Sequence, residues 1–325
     1  MLKTRITELF GIRHPIIQGG MRYVARAEVA ASVAEGGGIG FISAHTQPGP
    51  EALLAEIERA RALTNGPIGV NLTILQHLRG AKPEDYVSAI IESGVRFVET
   101  AGANPAAYIE RFKSAGLVVL HKCTAVRFAL KAQALGADAV SITTFEAGGH
   151  PGEDQVPALV LIPRVAAELA IPFIASGGYA TGAQLAAALA LGADGISMGS
   201  RFLLTRESPM HPNIQRLMLA ATERDTRIIL RSIGDSTRVI ANAQAEKVLA
   251  MEKEGGHSAE ELLAEGGGPR WIAAAERGDE TAGAFAAGLS IALIDDLPSA
   301  SEIVRRIAAE AEEIIQRRLG GFLAA

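Results

Sequence analysis

The sequence predicts a parallel α/β barrel of eight βα units, a (β/α)8 fold, on three observations. Short apolar, β-rich runs recur at intervals of roughly 25 to 35 residues. Amphipathic, alanine-rich stretches separate them. Polar residues and glycines follow each run, at what becomes one end of a parallel sheet.

The runs are Pro15–Gln18, Ile39–Ser43, Ile68–Leu72, Phe97–Thr100, Val118–His121, Ala139–Ile142, Phe173–Ala175 and Gly195–Met198. They are rich in Val, Ile and Phe rather than strictly alternating, as strands buried on both faces are. Between them, Pro50–Leu63, Pro83–Ser93, Pro105–Ala115 and Ala183–Leu191 place apolar residues at i, i+3, i+4 and i+7, with Pro at several first turns. These predict crossover helices. A doubly wound sheet has the same local pattern; the strand count of eight and the glycine-bearing loops after the last two strands favour closure. Beyond Arg201 the rhythm stops. Residues 206–290 read as helices with polar, glycine-bearing connections and no clear strand, so the expected division is a barrel of 1–205 and 291–325 with a helical subdomain of 206–290 covering its mouth. The amphipathic helix Ser301–Leu319 then completes the eighth unit.

Composition narrows the class. With 325 residues, the chain is long enough to bury roughly three quarters of its unfolded surface without a disulfide or metal. Lys and Arg total 31 against 36 Asp and Glu, a net charge of −5 with no single-sign block, which argues against nucleic acid or a membrane surface as partner. The single cysteine, Cys123, excludes an intrachain disulfide and fits a cytoplasmic protein. No signal peptide or membrane span is read from the sequence.

The strand ends share one mouth, and their residues form an unusual set. They include Gln18-Gly19-Gly20-Met21, Asn71-Leu72-Thr73, Glu99-Thr100, His121-Lys122-Cys123, Glu146 to Gly152, Ser176-Gly177-Gly178 and Met198-Gly199-Ser200-Arg201. Residues without a Cβ let backbone N–H groups approach phosphate oxygens, and a helix with Thr181 near its start adds its dipole. Singly, each glycine pair is ordinary turn chemistry; two pairs in adjacent loops point to a phosphorylated cofactor. Met21 is either a core side chain or a soft surface for a flat ring. Lys122 either meets an electron-rich group or forms an ion pair with Glu99 or Glu146. His150, flanked by Gly148, Gly149 and Gly152, can exchange a proton near neutral pH. The other histidines, among them His45, His77 and His121, form no metal-ligand spacing, so no metal is expected. Cys123 reads as a buried apolar thiol rather than a nucleophile.

Longer motifs carry a family resemblance. HPIIQGGM (14–21), GVNLT (69–73), HKCTAVRFALKA (121–132), EAGGHPG (146–152), IASGGYATG (174–182), MGSRF (198–202), TRVIANA (237–243) and LIDDLPSASEIV (293–304) together resemble the nitronate monooxygenase family, formerly called 2-nitropropane dioxygenases. The resemblance covers nearly the whole chain. It implies an FMN-dependent TIM-barrel oxidoreductase with a helical subdomain. In that reading Gly20, Met21, Arg22, Thr73 and Lys122 line the flavin, and Gly148, Gly149, Ser176, Gly177, Gly178, Met198, Gly199 and Ser200 hold its ribityl chain and phosphate. His150 matches the family's catalytic histidine, placed beside the nitro oxygens of a small nitronate or nitroalkane, and Lys122 favours the reduced anionic flavin.

Two relatives widen the expected chemistry. The segment TQPGPEAL (46–53) is shared with a branch associated with NAD(P)H:quinone reduction, whereas LQHLRGAKPEDY (75–86) departs from that branch's proline-containing loop. The flavin-dependent enoyl-acyl-carrier-protein reductases share the EAGGH-type loop. No GxGxxG fingerprint occurs, so NAD(P)H would bind transiently over the flavin face. The primary expectation is oxidation of alkyl nitronates with oxygen. Quinone reduction is the alternative, with an enoyl-reductase-like enzyme or a non-catalytic FMN-binding barrel behind it, and a homodimer as the assembly considered.

Overall fold

The computed structural model describes residues 1–74 and 82–322. His77 and most of the distinctive loop 75–86 lie outside the described residues. Eight parallel strands pair in chain order: β1 (Ile16–Gln18), β2 (Ile39–Ser43), β3 (Ile68–Ile74), β4 (Phe97–Gly102), β5 (Val118–Cys123), β6 (Ala139–Thr143), β7 (Phe173–Ser176) and β8 (Ile196–Met198). The sheet closes through β1 on β8, with Ile17 opposite Ser197. It is a TIM barrel.

A short helix, α1 (Arg5–Phe10), precedes β1. Crossover helices α2 (Ala27–Glu35), α3 (Pro50–Leu63), α4 (Pro83–Glu92), α5 (Ala106–Ser114), α6 (Val126–Ala134), α7 (Ala158–Glu168) and α8 (Gly182–Ala190) follow β1 to β7, and the single turn α9 (Ser200–Leu203) follows β8. Proline opens α3 and α4 at their first turns, where its missing N–H has no intrahelical acceptor to lose. Thr181 caps α8 in a capping box with Gln184.

The chain between β8 and the last helix corrects the expectation of a purely helical segment. It holds α10 (Pro212–Leu219), then the antiparallel ribbon β9 (Thr226–Ile229) and β10 (Thr237–Ile240), then α11 (Ala243–Glu254), α12 (Ala259–Gly266) and α13 (Gly268–Arg277). The ribbon strands, TRII and TRVI, are too short and too charged to stand out by periodicity. This segment packs Ile214, Met218, Ile240 and Phe285 against Tyr23, Val24, Leu203 and Leu204 beside the barrel mouth. The last helix, α14 (Ala300–Glu313), lies against α8 and α2 and fills the eighth place in the helical ring; a π-type turn, Ile314–Leu319, extends it.

The barrel interior is built in layers because alternate side chains of each strand face inward. Ile17, Ile39, Phe41, Phe97, Leu120, Ala139 and Ile174 form the apolar lower part, sealed from below by Ile6 and Phe10 of α1. The ring of Phe10 stands 5.1 Å from that of Phe97. Two residues further along the strands the interior turns polar: Asn71, Glu99, Lys122, Ser141 and Ser197. The polar layer is therefore laid on an apolar plug.

Candidate active site

Glu99 organises that floor. Its side chain is fully buried. Oε2 accepts from the backbone N–H of Gly20 at 2.8 Å and from Asn71 Nδ2 at 2.7 Å, while Oε1 faces Lys122 Nζ at 3.5 Å. The open choice for Lys122 is thus resolved toward Glu99 and away from Glu146, whose carboxylate accepts from the N–H of Ala158. Thr73 Oγ1 donates to Asn71 Oδ1 at 3.3 Å, and the Thr73 carbonyl lies 2.8 Å from His45 Nε2. The backbone at Gly20 passes so close that a Cβ would overlap the Asn71 side chain. Ser141 Oγ and Thr143 Oγ1 are buried with no hydrogen-bond partner among the described residues.

The loops after β7 and β8 form the second part of the site. Gly177 and Gly178 have φ of +93° and +82°, a left-handed pair that turns consecutive N–H groups the same way. Among the described residues, the N–H groups of Gly177, Gly178 and Gly199 have no acceptor. Ser200 Oγ accepts from the N–H of Gly288 at 2.9 Å. A cavity of about 220 Å³ opens beside the pair, bordered by Gly177, Gly178, Glu146 and Leu289. A larger one, about 450 Å³, lies between α6 and α7 and includes none of the expected site residues. Met198 is buried in the outer core with Ile196 and Phe202, so only its backbone belongs to the mouth, whereas the Met21 sulfur comes within 3.7 Å of where a Gly199 Cβ would stand.

His150 stands at the rim with its side chain 62% exposed, and its Nε2 lies 3.1 Å from Asp235 Oδ1 in the β9–β10 turn. Its loop is held to the ribbon. Gly149 and Arg238 exchange both backbone hydrogen bonds, at 3.0 and 2.6 Å, and Arg238 Nη2 donates to the Phe145 carbonyl at 2.9 Å. Glu153 accepts from the N–H and Oγ of Ser236. Sequence reading placed His150 in a glycine-rich loop; the clamp and Asp235 come from a ribbon more than 80 residues away and left no local signal. Gly148 runs against Gly288, where a Cβ would stand 2.6 Å from the Gly288 nitrogen.

Other strand-end groups turn away. His121 points outward to Thr100 Oγ1 at 2.9 Å, and burial pushes its imidazole down to about 4. Burial pushes the Cys123 thiol up to about 12, which leaves it an inert apolar group. Arg201 is buried and pairs with Asp296 at 2.7 Å, tying α9 to the segment before α14. Among the described residues, no group of three His, Cys, Asp or Glu is arranged to hold a metal ion, and no helix is long and apolar enough to cross a membrane.

This geometry coincides with a family match. The family model described as nitronate monooxygenase matches residues 3–310. The chain belongs to the nitronate monooxygenase family. Within reach of that family, it is 32% identical to a (3aS,4S,5R,7aS)-5-hydroxy-7a-methyl-1-oxo-octahydro-1H-indene-4-carboxyl-CoA dehydrogenase of Rhodococcus jostii, over 95% of this chain and 96% of the relative. The structure of FabK from Thermotoga maritima superposes with a TM-score of 0.91 and 35% identity, covering 99% of this chain and 100% of that one. A nitroalkane oxidase from Streptomyces ansochromogenes matches with a TM-score of 0.80 and 27% identity, covering 96% and 99%. Dehydrogenase, monooxygenase and oxidase are all oxidoreductase names, and the fold and family of this chain are those of oxidoreductases.

Proposed function

We propose that this member of the family is an FMN-dependent oxidoreductase acting on carbon beside a strongly electron-withdrawing group, with an acyl thioester as its substrate class. The cofactor reading is carried by the acceptor-free N–H groups of Gly177, Gly178 and Gly199, which suit phosphate oxygens. The hydroxyls of Ser141 and Thr143, toward the carboxyl end of β6, have no partner among the described residues and leave hydrogen-bonding capacity for a polar ligand. Bound there, FMN would supply the acceptor or donor of an electron pair.

The remaining work falls to the chain. Gly20, Met21 and Thr73 would place the ring; Gly148, Gly149, Ser176, the backbone of Met198, and Ser200 would hold its tail. Lys122 brings a positive charge to the floor that Glu99 already balances, so the floor is polar without a net charge. With Asp235 accepting from Nε2, His150 would keep Nδ1 free to take or return the substrate's α-proton.

The open rim supports a thioester over a small nitronate. A histidine 62% exposed is reached by a bulky reactant arriving from solvent. The likeness to a carboxyl-CoA dehydrogenase, at 32% identity, points the same way. Nitronate oxidation is the second reading, favoured by the likeness to nitroalkane oxidase.

Anaerobic mixing of the FMN-loaded protein tests both. Bleaching of the flavin by a saturated acyl-CoA, or reoxidation of NAD(P)H-reduced flavin by an enoyl thioester, is the expected result. Bleaching by a nitronate alone overturns the thioester reading, and reoxidation by quinones but not enoyl thioesters moves the assignment to quinone reduction. Protein that takes up no FMN overturns the cofactor.

A further inference from the structure

Arg22 follows the Gly20-Met21 segment at the end of β1, and its guanidinium is half-buried. Burial lowers its basicity, as it does for Arg201 and Arg238. The other two have partners: Arg201 binds Asp296 and the Leu204 carbonyl, and Arg238 binds Thr226 Oγ1 and the Phe145 carbonyl. Among the described residues, Arg22 has neither a hydrogen bond nor an ion pair. Its nitrogens are therefore free to receive an anion that arrives with a ligand, at no cost of breaking an existing pair.

Its surroundings indicate which anion. A Cβ on Gly268, the first residue of α13, would stand 2.8 Å from Arg22 Nη1 and 3.8 Å from Trp271 Nε1. The indole and the guanidinium therefore border one spot at the rim. The helix starts there without a side-chain cap. Tyr23 meets the Trp271 indole edge to face, the ring centroids 5.8 Å apart. A planar fork of N–H donors beside aromatic rings suits a phosphate carried on a nucleotide.

We propose that Arg22 receives a phosphate group of a nucleotide-bearing reactant, which it anchors beside Trp271 while the reacting end reaches the mouth. The proposal rests on the oxidoreductase reading above. Coenzyme A and a nicotinamide dinucleotide share the required chemistry, and the experiment separates them.

Trp271 is the chain's single tryptophan, so its emission reports on this spot alone. Coenzyme A, NADP⁺ and adenosine are titrated separately into the protein as isolated. The expected result is a saturable emission change with coenzyme A or NADP⁺ and none with phosphate-free adenosine; the responding ligand names the source. Arg22→Ala weakens that binding about tenfold or more, and Arg22→Lys, which keeps the charge without the fork, lies between. Unchanged melting of both variants shows that the fold is intact. Equal affinity in Arg22→Ala, an equal response to adenosine, or no response to either nucleotide overturns the proposal. Nucleotide binding through Arg22 in a protein that takes up no FMN would instead overturn the functional reading and leave this site standing.

Discussion

Lys122 Nζ lies 3.5 Å from Oε1 of Glu99, a carboxylate with no exposed surface, and these two groups are the opposite charges of the barrel floor. Glu99 also holds the N–H of Gly20 and the amide of Asn71. The pair thus links β4 and β5 to the segment after β1, where the flavin ring is proposed to lie.

Removing the cation alone should therefore be worse than removing both charges. Lys122→Met leaves Glu99 buried without its counter-ion and is expected to lower stability by about 3 kcal/mol. Glu99→Gln/Lys122→Met should recover most of that loss, because the amide still accepts from Gly20. Urea unfolding of the two variants checks this; equal losses would show that the pair is not coupled.

His150→Ala is expected to retain FMN and to lose about 10²- to 10⁴-fold in kcat, the range for a proton-handling group. Asp235→Asn keeps a hydrogen-bond partner for Nε2 and should have a smaller effect on kcat with KM nearly unchanged. Visible flavin absorbance and steady-state rates measure the two properties separately. An unaltered rate in His150→Ala removes this residue from the chemistry.

Gly177→Val should bind FMN poorly while the barrel still folds. Its φ of +93° disfavours any Cβ, and the new carbon would stand 2.8 Å from the Cβ of Ala147. The resulting shift would move the N–H groups assigned to phosphate. Flavin content after gel filtration reads the effect, and wild-type retention would contradict the phosphate assignment.

Acid should destabilise the protein through His121. Burial holds its imidazole at about 4 when folded, below the ordinary value of 6.5, so the unfolded chain binds the proton more readily. The stability from keeping His121 neutral is present above about pH 6.5 and is lost as pH falls toward about 4, by up to roughly 3 kcal/mol. Burial also lowers His14 and His45, which adds to the same trend. In His121→Gln the decline across this window should flatten, as measured by urea midpoints at successive pH values. A slope identical to wild type would assign the acid sensitivity elsewhere.

The strands and crossover helices could be read in the sequence because each depends on local patterning. Val, Ile and Phe runs specify strands buried on both faces, and Pro50 and Thr181 mark helix starts through groups in their own first turns. The order of those units also brought Gly20, Lys122, Gly177 and Gly199 to one mouth, since parallel strands share a carboxyl end. Partnership is a different kind of information. Lys122 could equally have met Glu146, and only the register of β4 against β5, with Ala101 opposite Lys122, brings Glu99 beneath it. The ribbon that clamps the His150 loop was missed for the same reason: its short strands gain stability from pairing with each other and with Gly149, not from a periodic pattern of their own. Local propensity and side-chain alternation are encoded within a few residues, so the sequence alone determined the barrel and its polar end. Which charges neutralise each other, which way Met198 and His121 face, and what holds His150 depend on distances between remote segments, and those exist only once the barrel has closed.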